Sequence, residues 1–122
     1  MYRLCVARQF SSAHNLRNYE GKCEKLHGHN YRVELVLEGE VLNPVGLLMD
    51  FKEVKSLLDP VLEELDHSYL NDHPFFREAN PSAENIARFI HEKISPDLPQ
   101  GIRAAEVRIW ESDGCCACFV AS

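Results

Sequence analysis

The stretch from Cys23 to His29, Cys-Glu-Lys-Leu-His-Gly-His, constrains the fold more than any other part of the sequence. His27 and His29 are two residues apart, and strand side chains repeat with a period of two, so both imidazoles leave one face of a strand. His14 ends an earlier alternating run and would lie beside this pair in an antiparallel hairpin. Three neutral imidazoles with an open fourth position are typical of a catalytic zinc site. The alternative is a chance pair of histidines on a half-exposed strand.

The hydrophobic pattern of the two predicted strands bears on this choice. In residues 2–14 the apolar side chains occupy the even positions, and His14 lies on that face. In residues 27–37 they occupy the odd positions, which include His27 and His29. A polar group on a buried face costs free energy unless it is bonded. Metal coordination would satisfy all three imidazoles together, which favours the metal site.

Length and composition indicate one soluble domain spanning residues 1–122. The sequence has no apolar run of about 18 residues and no signal-peptide pattern, so we expect no membrane segment. Five cysteines, with Cys115 and Cys116 adjacent, make a poor disulfide framework and suit a reducing compartment, which predicts a cytoplasmic protein. The net charge of −6 argues against a nucleic-acid partner.

Charge is distributed unevenly along the chain. Residues 1–32 hold six basic and two acidic side chains, a balance of +4, whereas the other 90 residues hold seven basic and seventeen acidic ones, a balance of −10. Positive charge therefore accompanies the histidines, as expected if an anionic small molecule approaches them. Uneven charge is also common in short chains, so this signal is only suggestive.

The element order predicts an α+β domain, β-β-α-α-β-β, in which two helices pack on one face of a four-stranded antiparallel sheet. Asp50 is the predicted start of the first helix, and residues 80–82 precede the second. Pro60 interrupts the apolar stripe of the first helix, so the helix either kinks there or a second helix begins. Residues 113–114, Asp-Gly, are predicted to join the last two strands.

Other residues could carry chemistry. Asp66-His67 could act as an acid and base near neutrality, or could place a cation at a helix C-terminus. Glu111, at the end of an apolar strand face, either points to solvent or binds a partner with donors. Cys115-x-x-Cys118 offers a second metal half-site, which is weak evidence alone.

Five segments occur in order along the chain: Phe10-Ser11-Ser12-Ala13-His14, Cys23-x-x-x-His27-Gly28-His29, Leu65-Asp66-His67, Asn80-Pro81-Ser82-Ala83-Glu84-Asn85 and Glu111. In these segments the sequence resembles the 6-pyruvoyltetrahydropterin synthase and 6-carboxytetrahydropterin synthase family over essentially its whole length. The resemblance implies the tunnelling fold, in which subunits pool four-stranded sheets into a barrel. It also implies a homohexamer of two stacked trimers, with a pterin bound between subunits.

The resemblance also assigns roles to residues. The roles that it implies are zinc ligation by His14, His27 and His29, general base catalysis by Cys23, assistance to proton transfer by Asp66 and His67, and pterin anchoring by Glu111. A thiol near a cation is a reasonable base, because the cation favours the thiolate. Ser82, where the family often has threonine, and Lys25 are predicted to contact substrate. Lys25, Arg17 and Arg8 are the candidate contacts for a triphosphate.

The short chain with compact loops is more similar to the carboxy-forming members of the family. The expected reaction is zinc-dependent conversion of 7,8-dihydroneopterin triphosphate to 6-carboxy-5,6,7,8-tetrahydropterin, with loss of acetaldehyde and triphosphate, on the route to queuosine. One alternative is 6-pyruvoyltetrahydropterin formation on the route to biopterin. Another is a non-catalytic zinc- or pterin-binding module.

Overall fold

The computed structural model describes residues 1–18 and 25–122. Its strands are β1 (Tyr2–His14), β2 (His27–Gly39), β3 (Ser68–Tyr69), β4 (Ile102–Ser112) and β5 (Cys115–Val120). Its helices are α1 (Phe51–Leu65) and α2 (Ala83–Ile94), with short 3₁₀ turns at Leu70–Asp72, Pro74–Phe76 and Ser95–Asp97.

The strands form one sheet in the order β3-β1-β2-β4-β5. β1 and β2 pair antiparallel over their full length, from Tyr2 opposite Gly39 to His14 opposite His27. This confirms the predicted pairing of the first two strands. β4 pairs antiparallel with β2 and β5, and residues 113–114 lie between β4 and β5 as predicted.

The predicted four-stranded antiparallel sheet is wrong in one respect, because the sheet is mixed and has five strands. β3 runs parallel to β1, with Ser68 opposite Ser12 and Tyr69 opposite Ala13. Just before β3, the backbone N–H of His67 donates to the carbonyl oxygen of Ser11 across 2.6 Å, which guides the chain along β1. A two-residue strand has too little alternation to be found from sequence.

Side-chain caps mark the start of both helices, and buried leucines carry the first helix past its proline. Asp50 is the N-cap of α1, and its side chain accepts a hydrogen bond from the backbone N–H of Lys52. α1 continues through Pro60, because Leu58 and Leu62 are buried on either side of the proline and keep one face against the core. Ser82 caps α2 by accepting from the N–H of Asn85.

The core lies between the helices and one face of the sheet. Its buried members include Val33 and Leu35 of β2, Leu58 of α1, Ile90 of α2 and Val107 of β4. The histidines of β1 and β2 are therefore on the helix-covered face, at the end of this core. Within the described ranges, no helix is both long and apolar enough to span a membrane.

Candidate metal centre

His14, His27 and His29 meet at one end of the β1–β2 pair. His14 is directly opposite His27 in the strand register, and His29 is opposite Ser12. The nitrogen atoms available as ligands all lie within 4.8 Å of one another. His14 is only 2% exposed, whereas the other two rings are partly exposed. The structure thus brings together the three histidines that the strand pattern predicts.

Backbone carbonyl groups fix the tautomers of two of these histidines. Nδ1 of His14 lies 2.6 Å from the carbonyl oxygen of Pro81, and Nδ1 of His27 lies 2.7 Å from that of Lys25. A carbonyl oxygen can only accept, so both Nδ1 atoms carry the proton and both Nε2 atoms present lone pairs. Metal-ligating histidines usually have such partners on the second nitrogen.

The free nitrogen atoms face each other. Nε2 of His14 lies 2.9 Å from Nε2 of His27, a distance at which two lone pairs repel unless a cation or proton lies between them. Nε2 of His29 is buried and has no hydrogen-bond partner among the described residues. A buried polar atom without a partner is costly. The donor set therefore fits a metal ion held by three imidazole nitrogens.

Electrostatics keep the buried histidine in its ligating form. Burial lowers the pKa of His14, and the neighbouring His27 and His29 lower it further, while the hydrogen bond to Pro81 acts in the opposite direction. A lowered pKa keeps the imidazole neutral near pH 7, and a neutral imidazole is the form that binds metal.

Tyr31 lies directly behind the histidines. Its side chain is fully buried, and its hydroxyl oxygen lies 3.1 Å from Nδ1 of His14. Burial raises the pKa of Tyr31, so the hydroxyl stays protonated. The sequence pattern places Tyr31 on the apolar face of β2, but nothing in that pattern indicates a contact with His14.

Two asparagines hold the chain just after His14. The side chain of Asn71 accepts from the backbone N–H of Asn15 across 3.0 Å and donates to its carbonyl oxygen across 2.9 Å. Asn80 makes the same pair of bonds to Arg17, at 2.9 and 2.8 Å. Each side-chain amide thus makes the two backbone hydrogen bonds that a neighbouring strand would otherwise make with that residue. Sequence reasoning missed both roles, although Asn80 is part of the Asn-Pro-Ser segment.

Asp66 and His67 form a pair anchored on β1. Oδ1 of Asp66 accepts from the backbone N–H of Ser11 across 2.8 Å, and Oδ2 lies 2.9 Å from Nδ1 of His67. The Ser11 hydrogen bond, followed by His67, lowers the pKa of Asp66. His67 has a positive φ of 51° and a side chain that is 83% exposed. The carboxylate is therefore fixed, and the imidazole reaches solvent.

His29 of the cluster and His67 of the pair line a common cleft. A surface cleft of about 500 Å³ is lined by His29, His67 and the neighbouring residues Ser12, Gly28 and Tyr69. A larger cavity of about 760 Å³ lies at the other end of the sheet, around Glu38 and Arg103, away from these groups.

Glu111 faces the histidines. Its Oε2 lies 3.9 Å from Nε2 of His29, and its side chain is 32% exposed. Whether it binds a partner with hydrogen-bond donors, the second of the two alternatives from the sequence, stays a prediction. The carboxylate is close enough to His29 for an electrostatic interaction but too far for a direct hydrogen bond.

The remaining predicted residues lie in varied positions. Cys23 lies outside the described residues. Lys25 is exposed and uses its carbonyl group to hold His27. The guanidinium of Arg8 binds both carboxylate oxygens of Asp59, at 2.9 and 2.8 Å, which engages it in an ion pair.

Arg17 and Ser82 have structural contacts. The guanidinium of Arg17 donates to the carbonyl oxygens of Phe76 and Ala79. The hydroxyl oxygen of Ser82 accepts the capping hydrogen bond from Asn85 across 3.2 Å. These contacts support the segment that carries the Pro81 carbonyl group.

Comparisons with known proteins agree with this geometry. The model of the 6-pyruvoyl tetrahydropterin synthase family matches residues 3–121, so the chain belongs to that family. It is 37% identical over 111 residues to a dihydroneopterin monophosphate aldolase of Pyrococcus furiosus, which covers 91% of this chain and 90% of the relative. It is also 37% identical over 103 residues to a 6-carboxy-5,6,7,8-tetrahydropterin synthase of Synechocystis, covering 80% and 78%.

A solved structure supports the fold. The chain superposes on Caenorhabditis elegans 6-pyruvoyl tetrahydropterin synthase with a TM-score of 0.88 and 27% identity, over 99% of this chain and 96% of that one. The fold is thus that of an enzyme family of pterin synthases.

Proposed function

We propose that the protein is a zinc-dependent 6-carboxy-5,6,7,8-tetrahydropterin synthase, which converts 7,8-dihydroneopterin triphosphate with loss of acetaldehyde and triphosphate in the queuosine pathway. The observation that carries this proposal is the shared cleft, in which His29 of the metal centre and His67 of the acid–base pair lie together. The 37% identity to the Synechocystis synthase supports this product, and the equal identity to the Pyrococcus furiosus aldolase makes cleavage of the monophosphate the competing reaction.

The metal in this proposal is zinc, held by His14, His27 and His29. Three imidazole ligands with an open position suit a catalytic zinc. Bound zinc would act as a Lewis acid on the hydroxyl groups of the substrate side chain.

Residues of the chain would move the protons. His67 reaches solvent while Asp66 holds its Nδ1, so Nε2 is the atom placed to exchange a proton with substrate. The fixed Asp66 carboxylate stabilises the imidazolium that forms. Cys23 is the proposed base.

Glu111 is the proposed anchor for the pterin ring. Its partly exposed carboxylate can accept hydrogen bonds from a ring N–H and the adjacent amino group, and such charge-assisted bonds are strong. Ser82 and Lys25 complete the proposed substrate contacts, with Arg17 and Arg8 as further candidates for the triphosphate.

The proposed assembly is a cytoplasmic homohexamer of two stacked trimers. Two features support association through strand edges. β5 ends the sheet on one side, and on the other side β3 covers β1 only at Ser12 and Ala13. Strand edges of this kind readily pair with another chain.

The product distinguishes the candidate activities. Zinc-loaded protein is incubated separately with 7,8-dihydroneopterin triphosphate and with the monophosphate, and products are identified by mass. We expect 6-carboxytetrahydropterin and acetaldehyde from the triphosphate. A pyruvoyl product would favour the activity named for the Caenorhabditis elegans protein, and aldol cleavage of the monophosphate that named for the Pyrococcus furiosus relative. Pterin binding without turnover would indicate a non-catalytic module.

A further inference from the structure

Two thiol groups lie side by side on β5, away from the histidine cluster. The Sγ atoms of Cys116 and Cys118 are 3.8 Å apart, and both side chains are exposed. They lie on the helix-free face, because Phe119 packs against His91 of α2 on the other face. The Cys115-x-x-Cys118 spacing noted in the sequence is not the pair brought together, since residues three apart on a strand point to opposite faces.

The distance suits metal coordination. Two sulfur ligands at about 2.3 Å from a tetrahedral metal ion lie roughly 3.8 Å apart. A disulfide fits less well, because it requires a Cβ–Cβ distance of about 3.5–4.5 Å. Residues i and i+2 of an extended strand are roughly 6.6 Å apart. The paired strand therefore holds the thiols close enough to share a metal ion but resists direct bonding between them.

The surroundings of Cys118 favour its protonated form. Partial desolvation by neighbouring groups, followed by hydrogen bonds with Glu106 and Cys116, raises the pKa of Cys118 to about 12. Glu106 is itself held by Arg108 through two hydrogen bonds of 3.0 Å. Neither of the two thiol groups forms a disulfide. A bound ion would have to displace their protons, which soft d¹⁰ cations do most effectively.

We propose that Cys116 and Cys118 form a second metal site, which binds a soft d¹⁰ cation such as Cu(I) through two sulfur ligands in a bent, tetrahedral-type geometry whose remaining positions are open to small-molecule ligands. Thiolate ligands select Cu(I) and related ions over harder cations. The site is independent of the proposed pterin chemistry, since it lies on a different strand and on the opposite face of the sheet from the histidines.

Cadmium titration tests the site, because cadmium–thiolate bonds absorb in the ultraviolet. The titration is done anaerobically on reduced, zinc-loaded protein that carries Cys23→Ser, so that the thiol of Cys23 does not contribute. We expect one equivalent of Cd²⁺ to produce a charge-transfer band. Cys116→Ser and Cys118→Ser should each weaken cadmium binding by at least roughly a hundred-fold, since removing a direct ligand costs more than the ten- to hundred-fold of an outer-shell change.

Matched controls use the other described cysteines. Cys115→Ser, on the same strand, and Cys5→Ser, on β1, should keep the band, the stoichiometry and the affinity. An unchanged titration of Cys116→Ser, or an equal loss in Cys115→Ser, would overturn the proposal. Circular dichroism of each variant checks that the fold is retained. If Cys116 and Cys118 do not bind cadmium, that result says nothing against the pterin synthase activity or the zinc content, which are measured in other experiments. The two proposals are therefore tested separately.

Discussion

Nδ1 of His14 donates a hydrogen bond to the carbonyl oxygen of Pro81 across 2.6 Å, and this bond joins the first strand to the segment before α2. It directs the unprotonated Nε2 of His14 toward His27 and His29. The candidate metal centre is therefore built from three parts of the chain: two strands supply the histidines, and the Asn80–Ser82 segment orients one of them.

The first prediction concerns metal content. His14→Ala, His27→Ala and His29→Ala should each reduce bound zinc well below the one equivalent expected for wild type, because three donors define the site. His67→Ala is the matched control and should retain full zinc, since its imidazole faces solvent beside the cleft. Metal analysis after gel filtration measures the content. Full zinc in any two of the three ligand variants would refute this ligand set.

The second prediction concerns proton transfer. Cys23→Ala and His67→Asn should lower kcat by about 10²–10⁴, because each removes a group proposed to move a proton. Zinc content and thermal unfolding should stay at wild-type values. Steady-state kinetics at saturating substrate measures the effect. A near wild-type kcat in either variant would show that another residue performs that step.

The sequence predicted that the three histidines lie together, because their signal is local and periodic. His14, His27 and His29 each fall on the apolar face of a strand, and strand pairing then necessarily brings them together. The orientation of Glu111 toward this cluster follows from the same alternation.

The supporting residues were not predictable in this way. Asn71, Asn80 and Tyr31 act through tertiary contacts between segments more than ten residues apart, and no periodic pattern indicates those contacts. β3 was missed for a related reason: its pairing depends on the turn at His67, whose positive φ is unusual for a residue with a side chain.

The third prediction concerns the asparagine contacts. Asn71→Ala should lower the free energy of unfolding by about 1–3 kcal/mol, because the backbone N–H and carbonyl group of Asn15 both lose a partner in a partly buried place. Gln100→Ala, at an exposed position, is the control and should change little. Urea denaturation of the zinc-free proteins gives both values. Equal stability of the two variants would mean that water replaces the asparagine without cost.

The fourth prediction concerns substrate binding. Glu111→Gln should weaken binding of a non-reactive pterin roughly ten- to a hundred-fold, since a charge-assisted hydrogen bond contributes about 1.5–3 kcal/mol. Zinc content should not change, because Oε2 of Glu111 lies 3.9 Å from His29 and is not among the ligands. Asp113→Asn, in the exposed turn that follows, is the control. Fluorescence titration that gives equal affinities for Glu111→Gln and wild type would contradict the anchoring role.

The fifth prediction concerns acid stability, and it follows from the lowered pKa of Asp66. The Ser11 N–H and His67 favour the carboxylate in the folded state, whereas an unfolded aspartate has a pKa of about 3.9. The folded protein thus releases this proton more readily, so the stabilisation is fully present above about pH 4 and is lost as pH falls through the folded pKa. Asp66→Asn removes this component.

Urea midpoints of the metal-free proteins, measured in chelator from about pH 6 down to about pH 3, test this sign. The difference between wild type and Asp66→Asn should be constant at the upper end and shrink toward acid. Glu38 and Glu106 also have lowered pKa values, so both proteins lose some stability toward acid because of these two groups. Only the difference in stability between wild type and Asp66→Asn therefore reports on Asp66. A difference that stays constant down to the lowest pH would mean that Asp66 stabilises the fold equally when protonated, and that its hydrogen bond to Ser11 does not depend on charge.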